Sequence, residues 1–189
     1  MNKACLRNLP LFFLAFLVAG TACAYESPNG VIAATGTVQV AFTPDEDANT
    51  LILQAIYDAR KQILVQAYSF TSKSIAGALV NARRRGVEVQ LIADAEQMQQ
   101  MEHNQVSTVA ALGVQVFVDS QHNSAHNKVM IIDAGTSNAI VITGSFNFSY
   151  SAQHKNAENL LLFRHNQELT AAYLKNWTHH REHSQAFGR

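Results

Sequence analysis

Apolar residues recur along the chain with two alternating periods, and that alternation predicts the fold. Residues 37–42 (Thr-Val-Gln-Val-Ala-Phe) alternate as a strand does, and Pro44 ends the run. Within residues 45–61, Ile52, Ala55, Ile56 and Ala59 share one helical face, behind acid at Asp45 and Asp47 that suits a helix start. Residues 62–69 are rich in β-formers and read as a second strand. Ser72 or Ser74 caps a helix whose buried face is Ile75, Ala78, Leu79 and Ala82, and Gly86 stops it. A third strand follows over 87–93. The Gln-rich stretch 95–112 turns helical near Ser107, and a fourth strand covers 114–118. After a loop at 119–125 come an apolar run at 128–132, a short turn, strands at 139–143 and 159–163, and a closing helix over 167–183 carrying Leu169, Tyr173, Leu174 and Trp177.

Strands alternating with helices predict an α/β domain with a mixed, mostly parallel β-sheet flanked by helices. The short turn after Asp133 is the one place where an antiparallel hairpin is required. No linker, low-complexity segment or internal repeat interrupts the chain, so one domain is expected.

Residues 1–24 change this picture by removing themselves from it. Lys3 and Arg7, the apolar segment 9–19 and Ala22-Cys23-Ala24 form a secretory signal pattern, too short to span a bilayer comfortably. Acylation at Cys23 is the alternative. The expected domain is then residues 25–189, periplasmic or secreted, without stable membrane insertion. Both cysteines, Cys5 and Cys23, fall in the signal, so no disulfide is expected. The full chain has 14 basic and 14 acidic residues. Loss of Lys3 and Arg7 leaves 12 against 14, a net charge of −2 with histidines neutral. Any attraction to a polyanion must therefore be local.

The chemistry concentrates at one stretch, His126-Asn127-Lys128 followed by Val129 to Ile132 and Asp133. In a strand, positions i and i+2 share a side, so an imidazole and an ammonium project together. Ser145 and Asn147 do the same on their own segment. A group able to attack or carry a proton, a fixed cation and two neutral hydrogen-bonding groups suit a phosphate ester. No grouped carboxylates suggest a magnesium site. The residues by themselves point to phosphoryl transfer without a metal or other cofactor.

The pattern His-x-Lys-x-x-x-x-Asp, formed by His126, Lys128 and Asp133, resembles the motif of the phospholipase D superfamily. The likeness continues through residues 144–149, 156–159, 67–71 and 84–89. In length, signal segment and single motif, the chain is similar to that superfamily's small secreted bacterial endonucleases. The resemblance implies that His126 is a nucleophile forming a covalent phosphohistidine, and that Lys128 and Asn147 hold phosphate oxygens with Ser145 beside them. It also implies that Glu158 is an acid that orients the imidazole. It further implies metal-independent cleavage of DNA, or of RNA, with little sequence preference. A lipid phosphodiesterase of phospholipase D type is the alternative, and a binding protein that keeps the fold without catalysis is a third. Asp133 belongs to the catalytic motif, but its odd spacing from His126 and Lys128 would turn it away from them, towards support of the hairpin.

Two-step transfer wants a second imidazole as acid. No second His-x-Lys exists in the chain, so a homodimer sharing one composite site, with His126 from each protomer, is expected. Other conspicuous residues have plainer readings. Arg83 to Arg85 suit a solvated helix end, Tyr68 and Phe70 suit packing, and Trp177 suits the core. His122 and His154 flank the motif, where they suit contact with nucleic acid and plain loop positions equally well. His179, His180 and His183 have helical spacing that a metal could use, but no cysteine or well-placed acid accompanies them, so a solvated C-terminal face is expected and no metal site.

Overall fold

The structure, a computed structural model, describes residues 30–188. The expected signal segment, with Cys5 and Cys23, lies outside the described residues. Contacts gather Ile32–Arg189 into one compact unit. Strand β1 (Thr37–Thr43) leads to α1 (Ala48–Asp58), β2 (Gln62–Ala67), α2 (Lys73–Arg84) and β3 (Glu88–Asp94). Two short helices, α3 (Ala95–Gln100) and α4 (Val106–Ala111), precede β4 (Gln115–Asp119). Then come β5 (Lys128–Ile132), β6 (Ile140–Gly144), α5 (Tyr150–His154), β7 (Glu158–Arg164), α6 (Gln167–His183) and β8 (Gln185–Ala186).

All eight strands form a single sheet in the order β1-β7-β6-β5-β2-β3-β4-β8. The mixed α/β sheet is as the hydrophobic pattern predicts, but its mostly parallel character is not. Only β2–β3 and β3–β4 pair in parallel, and the other five neighbour pairs are antiparallel. The reason lies in the connections. A parallel neighbour needs a crossover long enough to carry a helix over the sheet, and α2 and the α3–α4 pair provide it. From β4 to β7 the links are a loop, a tight turn and a five-residue helix, which mostly return the chain alongside itself, and α6 then carries it across the sheet to β8.

One face of the sheet is covered by α1, α2 and α4, which bury Ile52, Ile56, Ile75, Leu79 and Val109 against Ile63, Val65, Met130 and Ile142. The other face carries α6, where Trp177 packs with Leu64, Ile92, Phe117, Val129 and Ile131. The Trp177 indole Nε1–H also donates to the Val65 carbonyl at 3.1 Å, so its polar atom is satisfied within the core. Asp47 and Ser72 cap α1 and α2, each accepting from the backbone N–H three residues on. Three elements escape sequence periodicity, α3, α5 and β8, because six, five and two residues are too few to show a period. At the β1 edge the apolar alternation points outward: Val38, Val40 and Phe42 are 54%, 50% and 57% exposed, while Ala41 and Thr43 are buried.

Candidate active site

The polar residues of the motif gather along one edge of the sheet, at the carboxyl ends of β2, β3 and β4. Antiparallel pairing sets Lys128, at the start of β5, opposite Ala67, at the end of β2. Gly144, at the end of β6, pairs with Leu160 near the start of β7, so Ser145, Asn147 and Glu158 come to the same edge. Clefts at the carboxyl ends of parallel strands are where open α/β sheets bind ligands.

The segment after β6 is held by its glycine and its phenylalanines. Gly144 has φ 138°, and a Cβ there would lie 2.3 Å from the Asn159 carbonyl oxygen. That same oxygen accepts from the backbone N–H groups of Ser145 and Phe146 at 3.1 and 3.2 Å. Only glycine allows this approach. Phe146 and Phe148 are buried, which turns the alternate residues Ser145 and Asn147 outward. The Ser145 hydroxyl accepts from Asn159 N–H at 3.0 Å, and Asn147 Oδ1 accepts from Ser69 N–H at 3.4 Å.

At the centre, the His126 imidazole is exposed and Lys128 is buried. The Lys128 ammonium donates to His126 Nδ1 at 2.8 Å and to the His126 carbonyl at 2.6 Å. Burial pushes its pKa down to about 8, an effect partly offset by the negative charge of Glu158. Tyr68 packs against both groups, with its ring centroid 4.1 Å from that of His126 and 4.7 Å from Lys128 Nζ. The expectation that Tyr68 serves packing alone is therefore incomplete. It holds the imidazole and faces the ammonium, a cation–π arrangement. Phe70, in contrast, is core as expected.

Glu158 accepts from Asn156 Nδ2 at 3.0 Å. In the free site Lys128, and not Glu158, occupies Nδ1 of His126. Asp133 is not brought to this edge. It lies just past the far end of β5, in the left-handed region at φ 50°, and is buried. Its carboxylate accepts from the backbone N–H groups of Arg60, Lys61 and Gln62 at 2.9, 2.7 and 3.0 Å, tying the hairpin to the entrance of β2. Another buried carboxylate, Asp94, positions the loop before His126, which no motif signals. It accepts from Gln97 N–H, capping α3, and from Ala125 N–H at 2.7 Å.

A cavity of about 660 Å³ is lined by Thr71, Lys73, Glu102, His103, Tyr150 and His154 among others, and by none of His126, Lys128, Ser145, Asn147 and Glu158. His154 lies on this cavity, its ring against Tyr150. Arg83 and Arg85 do not. They close the opposite end of α2, donating to the carbonyls of Gly113, Ile56 and Tyr57. A second polar cluster overturns one expectation: an acid does stand near His180 and His183. It is Asp119, from the end of β4, and His122 joins them.

Fold and site together define an α/β phosphate-ester-binding type of domain, with an imidazole and an ammonium at the carboxyl edge of a mixed sheet. Residues 52–181 match the family model described as cardiolipin synthase, PLD-like domain. The chain is 37% identical over 140 residues to a phospholipase D of Rickettsia typhi, covering 74% of this chain and 66% of that relative. It is 29% identical over 117 residues to the human mitochondrial cardiolipin hydrolase, covering 62% of this chain and 44% of the human protein. Among solved structures it is similar to Nuc of Salmonella typhimurium, a phospholipase D family member, with a TM-score of 0.75 and 32% identity, covering 81% of this chain and 99% of that one. The chain belongs to the phospholipase D-like family. It spans about two thirds of the rickettsial relative's length, 66%.

Proposed function

We propose that the protein is a secreted phosphodiesterase that hydrolyses nucleic acid, DNA or RNA, with little sequence preference, through a covalent phosphohistidine on His126. The observation that carries this reading is the exposed imidazole bonded to a buried ammonium 2.8 Å away, beside Ser145, Asn147 and Glu158. In the free site the ammonium occupies the lone pair of Nδ1. An arriving phosphate gives it a charged oxygen to bind instead, which frees the imidazole to attack. In the first step a P–N bond forms, the P–O bond to the leaving strand breaks, and a second imidazole protonates the leaving oxygen. Water then attacks phosphorus, the P–N bond breaks and the water's proton returns to the second imidazole. Lys128, Ser145 and Asn147 stabilise charge on the non-bridging oxygens, and Tyr68 fixes the imidazole plane. Asp133 holds the fold of the strand that carries Lys128 and takes no part at phosphorus.

The second imidazole would be His126 of a partner protomer in a two-fold dimer. The outward stripe of Val38, Val40 and Phe42 supports this, because it runs along β1 towards the site edge, with Thr43 paired to Glu158. Lys73, His103 and His154 line one cavity and could meet a polyanion there, against one acid, Glu102. No helix among the described residues is long and apolar enough to cross a membrane, and the expected signal pattern supports export.

A lipid phosphodiester is the second reading, favoured by the names of the rickettsial and human relatives, a phospholipase D and a cardiolipin hydrolase. One experiment separates the two. Purified protein is incubated with supercoiled plasmid and, in parallel, with phosphatidylcholine–cardiolipin vesicles, both in EDTA. Nicking that persists in EDTA and is lost in His126→Ala is expected. Lipid turnover without nicking would replace the substrate, and wild-type activity in His126→Ala would refute the mechanism.

A further inference from the structure

At the carboxyl end of β4, four potential ligands that belong to no part of the motif converge from three parts of the chain. Asp119 closes the strand, and its side chain is 0% exposed. His122 comes from the loop that leads to His126, and His180 and His183 come from the last turn of α6, where a spacing of three places them side by side. Asp119 Oδ2 lies 2.9 Å from His180 Nδ1, 3.2 Å from His183 Nε2 and 3.3 Å from His122 Nδ1. One ligand atom from each residue fits within 4.8 Å of all the others.

The shape of this cluster is that of a coordination shell. Donors about 2.0–2.1 Å from a tetrahedral ion stand ~3.3 Å apart, the range of the three carboxylate–imidazole distances. Imidazoles radiating from one such ion have ring centroids ~5 Å apart. The three here form a nearly equilateral triangle, with centroid separations of 5.0, 5.2 and 5.2 Å. The remaining carboxylate oxygen is held from outside, since Gln121 N–H donates to Asp119 Oδ1 at 3.0 Å, the outer support typical of metal ligands. His179 is exposed and its ring turns edge-on to the others, so adjacent histidines in the sequence do not all join.

We propose that Asp119, His122, His180 and His183 bind one zinc ion, which fastens the loop presenting His126 to the last turn of α6. Three imidazole nitrogens and one carboxylate oxygen suit zinc and not magnesium or calcium, which prefer all-oxygen shells. Four protein ligands fill a tetrahedral shell and leave no position for substrate, so the ion is structural. His122 stands four residues before His126, and the other tie on the same loop is the Ala125 bond to Asp94. The inference is independent of the substrate and of the phosphohistidine mechanism.

The test uses the full-length chain without a histidine tag, stripped with EDTA and then titrated with Zn²⁺ against a competing chelator. One zinc per chain with submicromolar affinity is expected, with a higher Tm and slower amide exchange over residues 120–127. Co²⁺ in its place should give the intense visible absorption of a four-coordinate ion. His122→Ala alters a half-exposed side chain and should leave the apo-protein's Tm unchanged while weakening zinc about 100-fold. His180→Ala should weaken zinc likewise but also lower the apo Tm, because it removes the 2.9 Å partner of the buried Asp119 carboxylate. Absence of tight zinc, or equal binding by both variants, would overturn the site. Tight binding with no change in loop exchange would overturn the fastening role.

Discussion

At the scale of single residues, Lys128 and Asp133 show how one motif divides its work. Lys128 is a cation whose folded pKa is lowered to about 8 by burial, with Glu158 opposing the shift. Its charge is present below that value and lost as pH rises through it. The pH profile of kcat/KM, which reports the free enzyme, should therefore have a basic limb near 8. In Lys128→Arg the guanidinium stays charged, so the limb should disappear whatever the residual rate. Lys128→Met should lower kcat/KM about 10²–10³-fold, the scale of losing one stabiliser of transition-state charge. Asp133 works through backbone amides instead. Asp133→Asn keeps the size and tolerates the left-handed backbone but removes the charge that three N–H groups share. It should cost about 2–3 kcal/mol in urea unfolding. The folded fraction should keep turnover within about threefold, because the interaction it loses is not one made in the transition state. Unchanged stability with lost turnover would make Asp133 a catalytic group after all.

At the scale of elements, β1 and α6 divide one face of the sheet between them. Helix α6 covers the part centred on β2, β3 and β5, anchored by Trp177. The β1 edge of that face is left with Val38, Val40 and Phe42 exposed, an apolar stripe on an edge strand that soluble proteins usually protect. If a second protomer covers it, Phe42→Asp should yield folded monomers, since a side chain 57% exposed contributes little to the fold of one chain. Sedimentation velocity would read the monomer, and activity per chain should fall at least tenfold when the second His126 is lost from the site. A fully active monomer would remove the composite site.

The whole molecule has no excess of basic charge: 14 basic residues stand against 14 acidic in the full chain. If the substrate is nucleic acid, its attraction must come from a few local cations such as Lys128 and Lys73, with His103 and His154. DNA affinity of the His126→Ala protein should then fall only gently with salt, with a log–log slope no steeper than about −3, measurable by fluorescence anisotropy. A slope near −8 would mean a broad basic surface.

Much of this architecture was legible along the chain. Periodicity placed β5 and α6 at their observed limits, and spacing put Ser145 and Asn147 on one side because Phe146 and Phe148 need burial. The same reasoning turned Asp133 away from His126. These features are local, set by which side chains alternate and which must leave water. The tertiary structure decided the rest. The turn after Asp133 announced the antiparallel β5–β6 pair, but the antiparallel pairing of β7 with β6 and β1 depends on which strands meet, and no single strand's pattern records its neighbours. Tyr68 entered the site because β2 ends where β5 begins. Asp119 and His122 joined His180 and His183 across more than fifty residues of chain. A sequence shows which groups can bind or react, but folding alone determines the distances between them.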